Sequence, residues 1–249
     1  MKKILIPILA VCLLAGCGQK GCDYASHVGT VTRDTLTGVP CCVYLPNAYA
    51  ERVQANGEVF PVLYLQHGML GNENDWPEQG NLLAIMDSLL QRGLVKEMVI
   101  IMPDNCPGKP TYEQEKEDAM NGAWEANFAA FMAEAEARYS ISHEPSQRAR
   151  AGLSMGGYHT KQVTQTLPGQ FGFIGLFSAL VTPPYRMEGN EEALYWMAIG
   201  NEDFLYDTVQ TYRHWLEANH YEYTYYESAG GHVWPNWQDY ICRFMQKLF

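Results

Sequence analysis

The sequence is short of basic side chains and lacks metal-binding patterns. Lysine and arginine number 17 against 28 aspartates and glutamates, which gives a formal net charge of −11. A chain with this excess of negative charge is poorly suited to bind the phosphate backbone, so we predict no nucleic-acid partner. The seven cysteines never form C-x-x-C, and His143-Glu144 lacks the second histidine of an H-E-x-x-H helix. We therefore predict neither a metal site nor a cofactor.

An apolar run long enough to span a bilayer is also missing near the N-terminus. The run at 4–14 is too short for a transmembrane helix, and two lysines precede it, as in a secretory signal. The tetrapeptide LAGC that ends at Cys17 resembles the lipobox of bacterial lipoproteins; an ordinary secretory signal is the alternative. The resemblance implies a signal peptide over 1–16, an acylated Cys17 and a tether over 17–27. We expect an extracytoplasmic protein anchored by lipid to a bacterial membrane, at the outer membrane or the periplasmic face.

The rest of the sequence contains no internal repeat, linker or second hydrophobic core, so we assign residues 28–249 to one domain. From residue 60 onward, short apolar runs typical of buried strands alternate with segments of helical spacing. This alternation predicts an α/β fold with a mostly parallel central sheet and helices on both faces. The best strand candidates are 41–46, 60–65, 98–102, 173–177, 195–199 and 221–226. The segments at 47–58, 106–122 and 181–192 are predicted as loops, the second of them a polar insertion.

The chain is organised around residues 152–157, Gly-Leu-Ser-Met-Gly-Gly, which have the form G-x-S-x-G. A run suited to a buried strand precedes this motif, and a run suited to a helix follows it. Between a strand and a helix the motif forms a nucleophile elbow, a tight turn that presents the serine hydroxyl at the end of the sheet. Gly152 and Gly156 carry no side chains that would collide as the strand and the helix approach. We therefore predict Ser154 as a catalytic nucleophile.

A serine nucleophile needs a base, and the base needs an acid to orient it. His232 is the best of the seven histidines, because it follows two glycines directly after a predicted strand, where parallel sheets place their sites. The acid is predicted after the preceding strand, at Asp203. The order Ser154, Asp203, His232 is that of the α/β-hydrolases. The alternatives for the acid are Glu202, Asp104 and Asp207.

Backbone N–H groups are expected to bind the oxyanion that forms during acyl transfer. We predict the N–H of Met155, which follows the nucleophile, and that of Met69 in the loop at 67–71, with Leu70 as the next choice. Three side chains beside these loops are candidates for substrate binding. They are His67, which is also expected to shape its own turn, Trp76 and Trp234.

These loops resemble those of the esterase D or feruloyl-esterase-like group, carbohydrate esterase family 1. The resemblance extends over residues 40–249 and rests on four motifs in the same order. They are His67-Gly68 with Gly71 and 73–76, the elbow at 152–157, the segment 200–205, and Gly230-Gly231-His232 with Trp234 and Trp237.

This resemblance implies an α/β-hydrolase fold and a serine esterase without metal or cofactor. Family members remove feruloyl or acetyl groups from plant polysaccharides, so an acylated carbohydrate or another small ester is the expected partner. Relatives act on formyl-glutathione or siderophore esters or transfer mycolyl groups, so another acyl hydrolase, including one acting on lipid esters, or an acyltransferase is the alternative. A glycan-binding surface lipoprotein without catalysis is the alternative outside the enzymes. The segments at 106–122 and 181–192 match no family pattern and are expected to border the acyl pocket.

Overall fold

The computed structural model describes residues 29–108 and 111–249. Eight strands in this part of the chain form a single sheet: β1 (Thr30–Leu36), β2 (Val39–Leu45), β3 (Val62–Gln66), β4 (Val99–Pro103), β5 (Arg148–Leu153), β6 (Phe173–Phe177), β7 (Leu194–Gly200) and β8 (Thr224–Ser228). Their order across the sheet is β1-β2-β4-β3-β5-β6-β7-β8. β2 is antiparallel to both β1 and β4, and all other pairs are parallel.

Helices cover both faces of this sheet. They are α1 (Tyr49–Asn56), α2 (Asp75–Glu78), α3 (Leu82–Gln91), α4 (Tyr112–Asn121), α5 (Ala123–Arg138), α6 (Met155–Thr166), α7 (Tyr206–Ala218) and α8 (Trp234–Met245), with a 3₁₀ turn at Pro145–Gln147. Helices α5, α6 and α7 bury Phe128, Val163 and Tyr212 against one face. Helices α3 and α8 bury Met86 and Phe244 against the other. The predicted α/β-hydrolase architecture is thereby confirmed.

The prediction of a loop at 47–58 is wrong, because this segment contains helix α1. Its polar residues face solvent, and only Tyr49 and Val53 pack against the core. The Tyr49 ring lies 5.3 Å from the ring of Phe60. Arg52 also bonds Glu58. Two inward side chains in a polar segment do not produce a visible helical period, which is why the helix was missed.

The polar insertion at 106–122 is not a loop throughout, because its second half forms helix α4. A reciprocal capping box begins this helix: Gln114 N donates to Thr111 Oγ1 at 3.4 Å, and Thr111 N donates to Gln114 Oε1 at 3.0 Å. The last strand also differs, since β8 begins at Thr224 rather than 221. Tyr221 stacks instead on Trp215, with their rings 5.5 Å apart.

The predicted signal peptide, the acylation site at Cys17 and the tether lie outside the described residues. None of the described helices is both long enough and apolar enough to cross a bilayer.

The strand order brings the predicted site segments to one edge of the sheet. β3 and β5 are neighbours, and so are β7 and β8. The loop at 67–71 follows β3, Ser154 follows β5, Asp203 follows β7 and His232 follows β8. Because these strands are parallel, all four segments emerge at their carboxyl ends, where open α/β sheets bind ligands.

Candidate active site

Ser154 lies in a tight turn between the end of β5 and the start of α6. Its backbone has φ 54° and ψ −118°, and positive φ is uncommon for a residue other than glycine. The turn is fixed against the segment after β6, because Ser154 N donates to Phe177 O at 2.8 Å and Leu180 N donates to Ser154 O at 3.1 Å. This strained turn between a strand and a helix has the backbone geometry expected of a nucleophile elbow.

The two glycines of the elbow let its backbone segments touch. A Cβ atom on Gly152 would lie 2.3 Å from Gly156 O. A Cβ atom on Gly156 would lie 2.2 Å from His67 O, at the end of β3. Both clashes are with backbone, which cannot rotate away as a side chain can. The elbow and the loop after β3 are therefore held at a fixed separation.

Asp203 and His232 form a hydrogen-bonded pair. His232 Nδ1 lies 3.0 Å from Asp203 Oδ1 and 2.9 Å from Oδ2, and Leu205 N also donates to Asp203 Oδ1 at 2.9 Å. Burial raises the pKa of the Asp203 carboxyl, but the hydrogen bonds from His232 and Leu205 outweigh it, so this pKa lies below its usual value. An ionised Asp203 fixes the proton of a neutral His232 on Nδ1 and leaves Nε2 free to accept another.

Ser154 and His232 line one cavity of about 600 Å³, a size typical of small-molecule sites. Loop 68–71, the elbow and helix α4 all contribute to its lining. Much of its remaining lining is apolar or aromatic. These side chains include Met120, Tyr158, Leu180, Phe204, Trp234 and Trp237. The geometry can therefore bring an ester with a large apolar group to a serine hydroxyl.

The backbone N–H groups of Met69 and Met155, residues that line the cavity with Ser154, are available as donors. Among the hydrogen bonds of the described residues, none uses either N–H group. The N–H of Leu70, the alternative donor, is already bonded to Glu115 Oε2 at 2.6 Å. Loop 68–71 lies directly against the nucleophile, since a Cβ on Gly68 would be 3.4 Å from Ser154 Cβ. The arrangement favours Met69 over Leu70.

The Esterase family model matches residues 37–220, a stretch that includes the loop after β3, the elbow and Asp203. The chain belongs to the Esterase family. The members of this family are esterases, enzymes that hydrolyse esters.

A curated relative of this esterase is an endo-1,4-beta-xylanase/feruloyl esterase of Xylanibacter ruminicola. The two are 34% identical over 161 residues, which is 61% of this chain but 21% of the relative. The esterase thus spans about a fifth of the length of that protein.

Solved structures share the fold. A CE1 ferulic acid esterase from the anaerobic fungus Anaeromyces mucronatus aligns with a TM-score of 0.72 and 22% identity, covering 93% of each chain. A feruloyl esterase module from Clostridium thermocellum in complex with sinapinate aligns with a TM-score of 0.74 and 19% identity, covering 90% of this chain and 89% of the module.

Two of the three substrate-binding candidates lie behind the cavity of the esterase, not in its lining. His67 is 2% exposed; its Nδ1 lies 2.7 Å from Gly68 O, and its Nε2 lies 3.7 Å from Asp104 Oδ1. Trp76 is 1% exposed and donates through Nε1 to Gln66 O at 3.0 Å. Trp234 does line the cavity and packs edge to face on Trp76. The first two were misjudged because adjacency to a loop does not decide which way a large side chain points.

The alternative acids stand apart from the histidine of the pair. Glu202 is exposed, and Asp207 is an exposed residue of the first turn of α7. Asp104 accepts from Cys106 N at 3.0 Å and faces His67. Only Asp203, of these four carboxylates, bonds His232.

The segment 106–122 borders the cavity, as expected from the sequence, but sequence reasoning missed that this part of the lining is helix α4; no residue of 181–192 lines the cavity. Tyr112, Lys116 and Met120 of this helix line the cavity. The pairing of Thr111 with Gln114, the S/T-x-x-Q pattern of a helix start, was the available signal. Phe204 was also missed: its side chain is 75% exposed, and its ring lies 4.5 Å from the ring of His232.

Proposed function

We propose that the esterase removes feruloyl groups from carbohydrate esters through a triad of Ser154, His232 and Asp203. The observation that carries this proposal is the Asp203–His232 pair at a large apolar cavity that also contains Ser154. A triad accounts for each of these residues: a nucleophile on a strained turn, a base at the same cavity, and a buried carboxylate that orients the base.

In the first half-reaction, Ser154 Oγ attacks the ester carbonyl carbon, and its proton passes to His232 Nε2. The C=O bond opens to a tetrahedral oxyanion, which accepts hydrogen bonds from the N–H groups of Met69 and Met155. When this intermediate collapses, the bond to the sugar oxygen breaks. That oxygen takes the proton from His232 and leaves as an alcohol, so Ser154 carries the acyl group.

In the second half-reaction, water replaces the sugar. His232 accepts a proton from the water, whose oxygen attacks the acyl carbon. The second oxyanion collapses with cleavage of the bond to Ser154 Oγ, which recovers its proton from His232. The products are a carboxylic acid and the free enzyme.

The size and lining of the cavity favour an aromatic acyl group. Phe204, Trp234 and Trp237 offer ring faces and edges, and Met120 adds a flexible apolar surface. An acetyl group would leave most of the volume of about 600 Å³ filled with water. The feruloyl esterase names of the curated relative and of the solved structures support the same acyl group.

Steady-state kinetics on two esters test this proposal. We expect kcat/KM for methyl ferulate to exceed that for methyl acetate by at least about a hundredfold, since a buried aromatic ring contributes several kcal/mol to binding. If the enzyme prefers the acetyl ester, and also deacetylates acetylated xylan, the acyl group assigned here would be acetyl and not feruloyl. A pure protein without turnover on either ester or on p-nitrophenyl butyrate would refute the catalytic proposal and favour the glycan-binding alternative.

We also propose that Cys17 carries a lipid that anchors the esterase outside the cytoplasm. The sequence LAGC at the end of an apolar run supports this. Cys17→Ser should move the protein from the membrane to the soluble fraction. Unchanged fractionation, together with no acyl mass on the N-terminal peptide, would refute the anchor.

A further inference from the structure

Loop 68–71, which contains the proposed oxyanion donor Met69, is hydrogen-bonded to Glu115 of α4, a residue that the proposed mechanism does not use. Glu115 is 2% exposed, and its Oε2 accepts from Leu70 N at 2.6 Å. The two residues are 45 positions apart in the chain. Glu115 and Ala119 are the two buried residues of α4, so this bond is the main polar connection between the cavity wall and the catalytic loop.

The bond acts on one of the two peptide planes that flank Met69. The N–H of Met69 shares its plane with Gly68 O, which accepts from Gly71 N at 3.1 Å and lies 2.7 Å from His67 Nδ1. The next plane contains the N–H of Leu70, which Glu115 holds. With both planes fixed, the backbone dihedral angles of Met69 are fixed, and so is the direction of its N–H.

The conformation of the loop shows why such a restraint is needed. Leu70 has φ 60°, in the left-handed region that costs a residue with a side chain roughly 1–2 kcal/mol. Its side chain is 57% exposed, so packing does little to hold it. The short bond from the N–H of Leu70 to Glu115 Oε2 therefore opposes relaxation of the turn.

We infer that Glu115 is a positioning residue of the oxyanion hole, which holds the Met69 N–H in the direction of the developing oxyanion. The inference rests on the proposed function, because it needs Met69 as an oxyanion donor. It assigns α4 a second role beyond lining the acyl pocket: the same helix that contacts the acyl group sets the geometry of the hole. Glu115 itself does not line the cavity and touches no reacting atom.

Two substitutions at Glu115 test the inference. Glu115→Leu removes the acceptor but fills the buried space, whereas Glu115→Gln keeps an acceptor oxygen in the same place. We expect Glu115→Leu to lower kcat for methyl ferulate by ten- to a hundredfold with KM within about threefold, since complete loss of one donor costs about 10²–10³ in kcat. Glu115→Gln should stay within about threefold of the wild type. Glu117→Leu, an exposed acid on the same helix, is the matched control and should behave as wild type.

The inhibition constant of phenylboronic acid distinguishes a positioning role of Glu115 from a merely structural one. The boron of this acid bonds Ser154 Oγ, the serine proton passes to His232, and a boronate oxygen occupies the hole, so its Ki should rise in Glu115→Leu in step with the fall in kcat. The Kd for ferulate, which makes no such adduct, should stay the same. Near-UV circular dichroism checks that the variant is folded, and Glu115→Ala takes its place if it is not.

Two results would overturn the inference while leaving the triad intact. One is a folded Glu115→Leu with wild-type kcat. The other is a loss of kcat without loss of boronate affinity, or an equal loss in Glu115→Gln. A wild-type protein without ester turnover would instead overturn the proposed function and this inference with it.

Discussion

The nucleophile elbow and helix α4 both border the active-site cavity, yet the first lies at the centre of the fold and the second at its margin. Helix α6 behind the elbow is buried at every position from Met155 to Lys161, and backbone packs on backbone at Gly152 and Gly156. Helix α4 buries Glu115 and Ala119 and exposes most of its other side chains. The proposed site of the chemistry is thus fixed by close packing, and the helix proposed to meet the acyl group is free to vary. Substitutions in the first should abolish activity or folding, and substitutions in the second should adjust it.

The largest effect is expected at the nucleophile. Ser154→Ala should lower kcat for methyl ferulate by about 10⁴–10⁶-fold, because the members of a triad act as a unit, and His232→Ala should lose about as much. Steady-state assays, corrected for the background rate of ester hydrolysis, measure the residual kcat. The melting temperature should change little, because only one oxygen atom is removed from a half-buried side chain. Retained activity in Ser154→Ala would exclude this nucleophile.

A smaller loss is expected at the acid. Asp203→Asn should lower kcat by about 10²–10⁴-fold, because an amide can hold His232 in the wrong tautomer and carries no charge to stabilise the imidazolium. The acid limb of the pH–kcat/KM profile should move to lower pH, since loss of the negative charge makes protonation of His232 less favourable. An acid limb that does not move would contradict the pairing.

Asp203 also links pH to stability. Its pKa in the folded protein lies below its usual value, so the ionised carboxyl stabilises the fold above the ordinary aspartate value of about 3.9. That contribution is lost as the pH falls through the lower, folded value. The wild type should therefore lose more stability than Asp203→Asn between pH 5 and the acid range, as measured by urea unfolding.

A matched pair of glycines compares the packing of the two regions directly. Gly156→Ala places a Cβ 2.2 Å from a backbone oxygen and should cost about 3 kcal/mol of unfolding free energy or more. Gly122→Ala, at the end of α4, has φ 68° but no atom nearer than 4.0 Å, so only backbone strain applies, about 1–2 kcal/mol. Urea unfolding measures both. Equal costs would contradict the difference between the two regions.

The smallest effect is expected at the cavity face of α4. Met120 is 70% exposed and lines the cavity, so Met120→Ala should raise KM for methyl ferulate about fivefold, the equivalent of roughly 1 kcal/mol of lost apolar contact. The rate on p-nitrophenyl acetate should be unchanged, because an acetyl group is too short to reach this wall. A parallel loss on both esters would mean that α4 supports the chemistry through Met120 as well.

The same contrast decides what could be predicted from the sequence. The strands around 60–65 and 98–102 are continuous apolar runs because both faces of the sheet are covered, and the elbow has a motif because its backbone contacts admit only glycine. Helix α4 carries neither signal. Its buried acid is explained by an acceptor bond to Leu70, a residue 45 positions away, and no local pattern reveals such a contact.

Side-chain direction was the other limit. Trp234 and Trp76 both adjoin site loops and touch each other, yet one lines the cavity and the other lies beneath it. The two rings differ because the indole N–H of Trp76 donates to a buried backbone acceptor, Gln66 O. That is a property of the packed molecule and cannot be derived from position in the chain.

Translation delivers the parts of this site at different times. A nascent chain leaves the ribosome from its N-terminus, so Ser154 emerges with the elbow strand while the segment with His232 follows roughly 80 residues later. At synthesis rates of about 5–20 residues per second, the interval is several seconds. Throughout it the serine has no imidazole to take its proton, and ribosome-bound intermediates of this esterase should be inert towards ester substrates and fluorophosphonate probes. Reactivity should appear in one step, when β8 has joined the edge of the sheet.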